Sequence, residues 1–244
     1  MATVTLPLTK TTPAVLYPRA QWYFLLAMAI TWLGFSHSYF AVLPSQPLLH
    51  HIHGALMGGW IALLAVQPVL YQRGRIQLHR TLGRWGVYLL VPAMVGCGFL
   101  MIRSMLNGTE LPLFIVDQLT FLDVTSLVLF PAFVALSVWY GRTLALHARY
   151  IVCTVLLLMP PAVTRALFII PGMHSFQRNV NVSLALVDAV LLLLIADDVR
   201  RGKIRAAYPV ALLTFSATFL ASNFAHGWTW WHALTAWLAG HPNA

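Results

Sequence analysis

Charge is what this sequence has least of. Only 9% of its 244 residues are Asp, Glu, Lys or Arg, where a soluble domain carries about 25%. A chain so poor in charge cannot clothe a water-facing surface, which excludes a soluble globular enzyme. The acidic sign is the scarcer, 6 residues against 15 Lys and Arg. Cysteine is nearly absent too. Cys97 and Cys153 both lie in apolar runs without a CxxC spacing, so nothing supports a disulfide framework or thiol-redox chemistry. The chain also lacks H-E-x-x-H, HxxHH and a P-loop, the local signatures of several metallo- and nucleotide hydrolases.

What is present is apolar length. Hydrophobic residues make up 59% of the chain and the mean hydropathy is +0.76, the composition of an integral membrane protein. About 20 apolar residues cross a bilayer core as a helix, and runs of that kind are expected near 21–43, 50–71, 83–103, 115–140, 149–170, 181–198 and 207–225. This predicts an all-α bundle of seven transmembrane helices over 21–225. It is preceded by a flexible cytoplasmic segment (1–20) and followed by a segment at the membrane interface (226–244). The first run is too long for a signal h-region and reads as a retained helix. The last segment, "HGWTWWHALTAWLAGHPNA", holds Trp228, Trp230, Trp231 and Trp237, suited to the headgroup region.

A net charge of +9 would suggest nucleic acid in a soluble protein. Its distribution points elsewhere. The second, fourth and sixth connections carry Arg73, Arg75, Arg80, Arg142, Arg200, Arg201, Lys203 and Arg205, and the others carry almost no basic residues. That bias predicts a cytoplasmic N-terminus and an external C-terminus, with the lipid bilayer rather than nucleic acid as partner. The three basic connections, "RGRIQLHR", "YGRTLALHAR" and "RRGKIRAAY", resemble one another, either as traces of repeated hairpins or through convergence.

Ionisable groups at membrane depth are costly and mark candidate sites. Asp117, Asp123, Arg165 and Asp188 fall within expected spans, in the outer half. His37 joins them, as do His50, His51 and His53 at the head of the second span. Two readings stand: Arg165 pairs with Asp123 or Asp188 to hold helices together, or these groups converge on a cofactor, metal or proton path. His53 shares a helical face with Met57 and Trp60, while Gly54 and Gly58 form a GxxxG pair that would admit a neighbouring backbone. At the other membrane face, His79 opens the third span and His147 the fifth. Two such imidazoles at one depth are either interfacial residues or the axial ligands of a b-type haem.

"HIHGALMGGWIALLAVQPVLYQRGRIQLHRTLGRWGVYLL" and "LHARYIVCTVLLLMPPAVTR" resemble the core of a bacterial polytopic membrane family of unknown function. The likeness covers roughly residues 50–165 and falls on His53, Gln67, His79, Arg80, Arg84, His147, Arg149 and Arg165. It implies a fold and the bacterial inner membrane, without an established activity. A more distant similarity is to the transmembrane di-haem cytochromes b. It implies His79 and His147 as an inner axial pair and His53 as an outer ligand, whose partner would be His37, His174 or His226. The expectation is a haem-b redox protein working with a quinone or a small redox partner. Two alternatives stay open. One is a membrane zinc hydrolase with ligands from His51 or His53, His226 and an Asp. The other is a proton-coupled carrier or structural protein using Asp123, Asp188 and Arg165, with "MPPAV" as a helix break.

Overall fold

The structure, a computed structural model, describes residues 18–108 and 110–241. The expected N-terminal segment 1–20 therefore lies, up to residue 17, outside the described residues. Among the described residues there are helices and no strands. In chain order these are α1 (Ala20–Phe35), α2 (Leu48–Gln72), α3 (Ile76–Trp85), α4 (Val91–Gly108), α5 (Leu113–Trp139), α6 (Leu144–Leu158), α7 (Pro160–Leu167), α8 (Phe176–Arg200), α9 (Ala207–Ser222) and α10 (Thr229–Ala239). A π-helical turn, Gly86–Leu90, joins α3 to α4 without a break, so Ile76–Gly108 is one long rod.

Four helical stretches have the length and apolarity to cross a membrane: Leu48–Gln72, Ile76–Gly108, Leu113–Trp139 and Phe176–Arg200. The pair α6 and α7 makes a fifth if taken together, bent by 43° at Met159. Pro160 and Pro161 cause the bend: neither offers an N–H to the preceding turn, and each ring crowds the carbonyl behind it. The two remaining runs form shorter apolar helices, Ala20–Phe35 and Ala207–Ser222. The first expected span, 21–43, stops early because the chain leaves α1 at Ser36 and turns through the 3-10 segment Phe40–Ser45, with Pro44 inside it.

Hydrogen bonds between helices show which ends lie together. At one end, the Gln72 side chain reaches the Pro18 carbonyl, His79 meets Gln67, and Ser137 meets His147. At the other, Tyr39 meets His51, Asn107 reaches the Ala239 carbonyl, and Asp117 meets His226. Successive helices thus run up and down. Around the bundle, α1 touches α2 and α7, α2 touches α4, α4 touches α5, and α9 closes the ring against α5, α6 and α8. Trp60, Phe133, Leu191 and Tyr208 are fully buried in the middle. Trp60 donates its ring N–H to Thr154 Oγ1 at 3.2 Å, satisfying a polar group that would be costly without a partner.

The likeness of two basic connections has a local cause. Gly74 and Gly202 follow α2 and α8 with φ of 69° and 70°. In both turns the next N–H reaches back five residues, Arg75 to the Leu70 carbonyl and Lys203 to the Asp198 carbonyl. These are matching Schellman caps, which favour glycine at that position. Gly141, in the middle connection, has no such positive φ.

Candidate functional site

His79 and His147 come together at the Gln72 end of the bundle, their ring centroids 6.3 Å apart and their planes at 70°. His79 lies on α3 one turn past Arg75, and the cap at Gly74 turns that helix back along α2. The Nδ1 of His79 lies 3.3 Å from the Gln67 carbonyl oxygen on α2, and the Gln67 side-chain amide donates its N–H to the same nitrogen and accepts from the Gly83 N–H. The Nδ1 of His147 lies 3.0 Å from the Ser137 carbonyl oxygen and 2.9 Å from Ser137 Oγ, on α5. Each ring thus spends Nδ1 on a neighbouring helix. Among the described residues no hydrogen-bond partner engages either Nε2.

The two rings border a cleft of about 1290 Å³ between α1–α3 on one side and α5–α8 on the other. Its walls are mostly apolar, including Phe24, Leu64, Val155 and Val187. Arg80, Arg84 and Arg201 stand at its polar margin. Five residues matched by the sequence resemblance, Gln67, His79, Arg80, Arg84 and His147, line this one space. A sixth, Arg149, does different work. It forms a buried two-point ion pair with Asp198 on α8, donating from Nε to Oδ2 at 2.9 Å and from its terminal nitrogen to Oδ1, with a further bond to the Ala145 carbonyl. Both side chains are almost wholly buried, and Tyr208 covers the guanidinium face.

One of the two readings pairs Arg165 with Asp123 or Asp188. Arg165 and Asp123 interact electrostatically without a direct bond, and the close buried pair is Arg149–Asp198. Arg165 lies with its guanidinium over the Phe35 ring at 4.7 Å and bonds the Pro161 carbonyl. Asp188 accepts from Ser216 Oγ at 2.7 Å instead. Asp198 is the last residue of the expected span 181–198, within a charged stretch, "DDVRRGK", that reads as the end of a membrane helix. In space α8 continues through it as far as Arg200. The sequence signal available was position: Asp198 lies on a helix seven residues beyond the fully buried Leu191, on the same face.

The opposite end holds the other candidate residues in separate groups. His51 bonds the Tyr39 hydroxyl through Nδ1 at 2.7 Å. His50 and His53 each bury an Nδ1 without a partner. His37 lies on an exposed turn and His174 on the exposed stretch before α8. His226 instead bonds Asp117 at 2.6 Å, and His232 faces the same carboxylate. The zinc set expected from His51 or His53 with His226 is thus not assembled; Asp117, His226 and His232 are the residues brought together. The GxxxG pair admits no backbone either. A Cβ on Gly58 would meet nothing within 4 Å, and one on Gly54 would only touch the Tyr39 ring. The close helix contact is at Gly34, where an added Cβ would overlap the Ala162 backbone of α7.

A polytopic helical membrane protein with an interhelical histidine pair is the class that fold and site define. No protein-family model matches the chain, and it matches no curated protein and no solved structure.

Proposed function

We propose that the protein is a b-type haem redox protein of the bacterial inner membrane, a seven-span member of the family its sequence resembles. Its four long spans, the bent pair and the two shorter apolar helices would make up the seven crossings. The basic connections put the histidine pair on the cytoplasmic side. The spacing of His79 and His147 carries the haem reading. With ring centroids 6.3 Å apart on two helices, His79 and His147 would be the residues to hold a haem iron between them.

The surrounding residues suit the same use. With Nε2 given to iron, the Nδ1 of His147 would keep its proton and donate to the Ser137 carbonyl, while Gln67 on α2 holds the Nδ1 side of His79. Such outer partners fix the tautomer, hold the ring plane and raise ligand basicity. The apolar cleft would take the macrocycle and keep water from it, while Arg80 and Arg84 would meet its carboxylate arms. Bound haem would supply one-electron transfer, with a quinone or small redox partner as the second reactant. His53 is the residue the distant cytochrome likeness implies for an outer haem. It lies at the other end without an assembled partner, so the proposal is for one haem.

A reduced-minus-oxidised visible spectrum of the detergent-purified protein, expressed with added haem precursor, tests this. A sharp b-type band with near-stoichiometric iron is expected, lost in His79→Ala and in His147→Ala and kept in His53→Ala. A full spectrum in His79→Ala would sink the axial assignment, and a colourless wild-type protein would sink the function.

A further inference from the structure

At the far end of the bundle from the histidine pair, three groups from three elements meet. Asp117 is in the first turns of α5 and is buried. His226 sits on the 3-10 turn Ala225–Gly227, and His232 on α10. Asp117 Oδ2 lies 2.6 Å from His226 Nδ1 and Oδ1 lies 3.8 Å from His232 Nδ1. The two rings stand perpendicular with centroids 5.6 Å apart. One ligand atom from each of the three residues falls within 4.8 Å of the other two.

The proton inventory at His232 points to what belongs between them. Its Nε2 is 2.8 Å from the His226 carbonyl oxygen. A carbonyl can only accept, so that nitrogen carries the proton. In the neutral ring Nδ1 is then a bare lone pair, and it faces a carboxylate oxygen. Two acceptors 3.8 Å apart leave a gap that a bridging water, a second ring proton or a cation can fill. A histidine whose far N–H is held by a backbone carbonyl is also the usual arrangement for a metal ligand.

We infer that Asp117, His226 and His232 form a three-ligand site for a zinc-class divalent cation. Zinc bonds of about 2.0–2.2 Å to nitrogen and oxygen place tetrahedral ligand atoms about 3.4 Å apart. Binding therefore lengthens the His226 contact and shortens the His232 contact, each by less than the freedom of an exposed ring. Nitrogen and carboxylate oxygen suit zinc better than the all-oxygen shells of calcium or magnesium. Three protein ligands leave a fourth position. The two imidazoles are about half exposed, with side-chain exposures of 52% and 48%, so that position opens outward to water or an exchangeable ligand. This site stands apart from the haem proposal and shares no residue with it.

The test uses the full-length protein in detergent, stripped with EDTA and dialysed, then titrated with Zn²⁺ alone by calorimetry and with Co²⁺ by visible absorption. One equivalent of each is expected to bind, Co²⁺ with the intense bands of a tetrahedral nitrogen–oxygen site. His232→Ala and His226→Gln should each lose those bands. Each should weaken Zn²⁺ binding by more than the 10–100-fold that loss of an outer-shell partner alone costs. The exposed-histidine variant His174→Ala should bind as wild type, and His79→Ala should keep Zn²⁺ whether or not it loses haem. Absence of saturable Zn²⁺ binding by the wild-type protein would overturn the site and leave an imidazolium–carboxylate pair in its place. Unchanged affinity in both ligand variants would overturn it equally.

Discussion

At the scale of single residues, two kinds of polar contact inside the bundle have opposite consequences. Arg149 and Asp198 are both buried and spend their charges on each other. Removing one leaves the other uncompensated, which costs about 3–5 kcal/mol. Asp198→Ala should therefore lower the thermal midpoint of the detergent-solubilised protein sharply. Asp197→Ala, which breaks an exposed pair with Arg201, should cost under about 1 kcal/mol. A thermal melt of the two variants side by side checks both. Ser137 belongs to the other kind, since its carbonyl and hydroxyl orient His147. Ser137→Ala keeps the carbonyl and loses the hydroxyl, so the haem reading predicts retained haem with a shifted midpoint potential in a redox titration. A merely structural role would leave the potential alone.

At the scale of elements, the decisive contacts are where helices touch most closely. Gly34 brings α1 against the Ala162 backbone of α7 with no room for a methyl group. Gly34→Ala must push these helices apart, and overpacking of that kind costs about 1–3 kcal/mol. Gly58→Ala meets open space and replaces a poor helix former, so it should be neutral or stabilising by up to about 1 kcal/mol. Thermal unfolding of both variants decides whether Gly34 or the Gly54–Gly58 pair is the packing site. The sequence favoured the wrong glycines for a physical reason. Two glycines four apart show that a helix has a smooth face, but only the partner's position shows whether that face is used. The helix break was more legible, because consecutive prolines disrupt a helix in any context. The tryptophans fall between. Trp230 and Trp237 are exposed, as anchors should be, yet Trp231 is fully buried and packs on Phe121. Composition cannot distinguish a core ring from an interfacial one.

At the scale of the whole molecule, apolar periodicity and loop charge sketched much of the bundle. Each expected span has a helix on it, although α1 and α9 are shorter than the runs suggested. The histidine pair was legible too, since His79 and His147 both open helices on the basic side. The ligand set around Asp117 was not, because residues 117, 226 and 232 meet only once α9 has turned the chain back onto α5. Charge bias also predicts sidedness. The only cysteines, Cys97 and Cys153, are buried, so new thiols can be read against a quiet background. In intact spheroplasts His174→Cys should react with an impermeant maleimide, and Lys203→Cys only after permeabilisation. The reverse pattern would invert the molecule and put the histidine pair outside.

Sidedness matters because the two ends of α2 are so unequally equipped. Gln67, which meets His79, follows His53 by 14 residues on that helix, a climb of about 21 Å. Between them the helix offers Trp60, Ile61 and Leu64, all buried and none able to carry charge. A single haem beside Gln67 would therefore collect and surrender electrons at the same face. Its turnover would move no net charge through the low-dielectric layer and would be indifferent to membrane voltage.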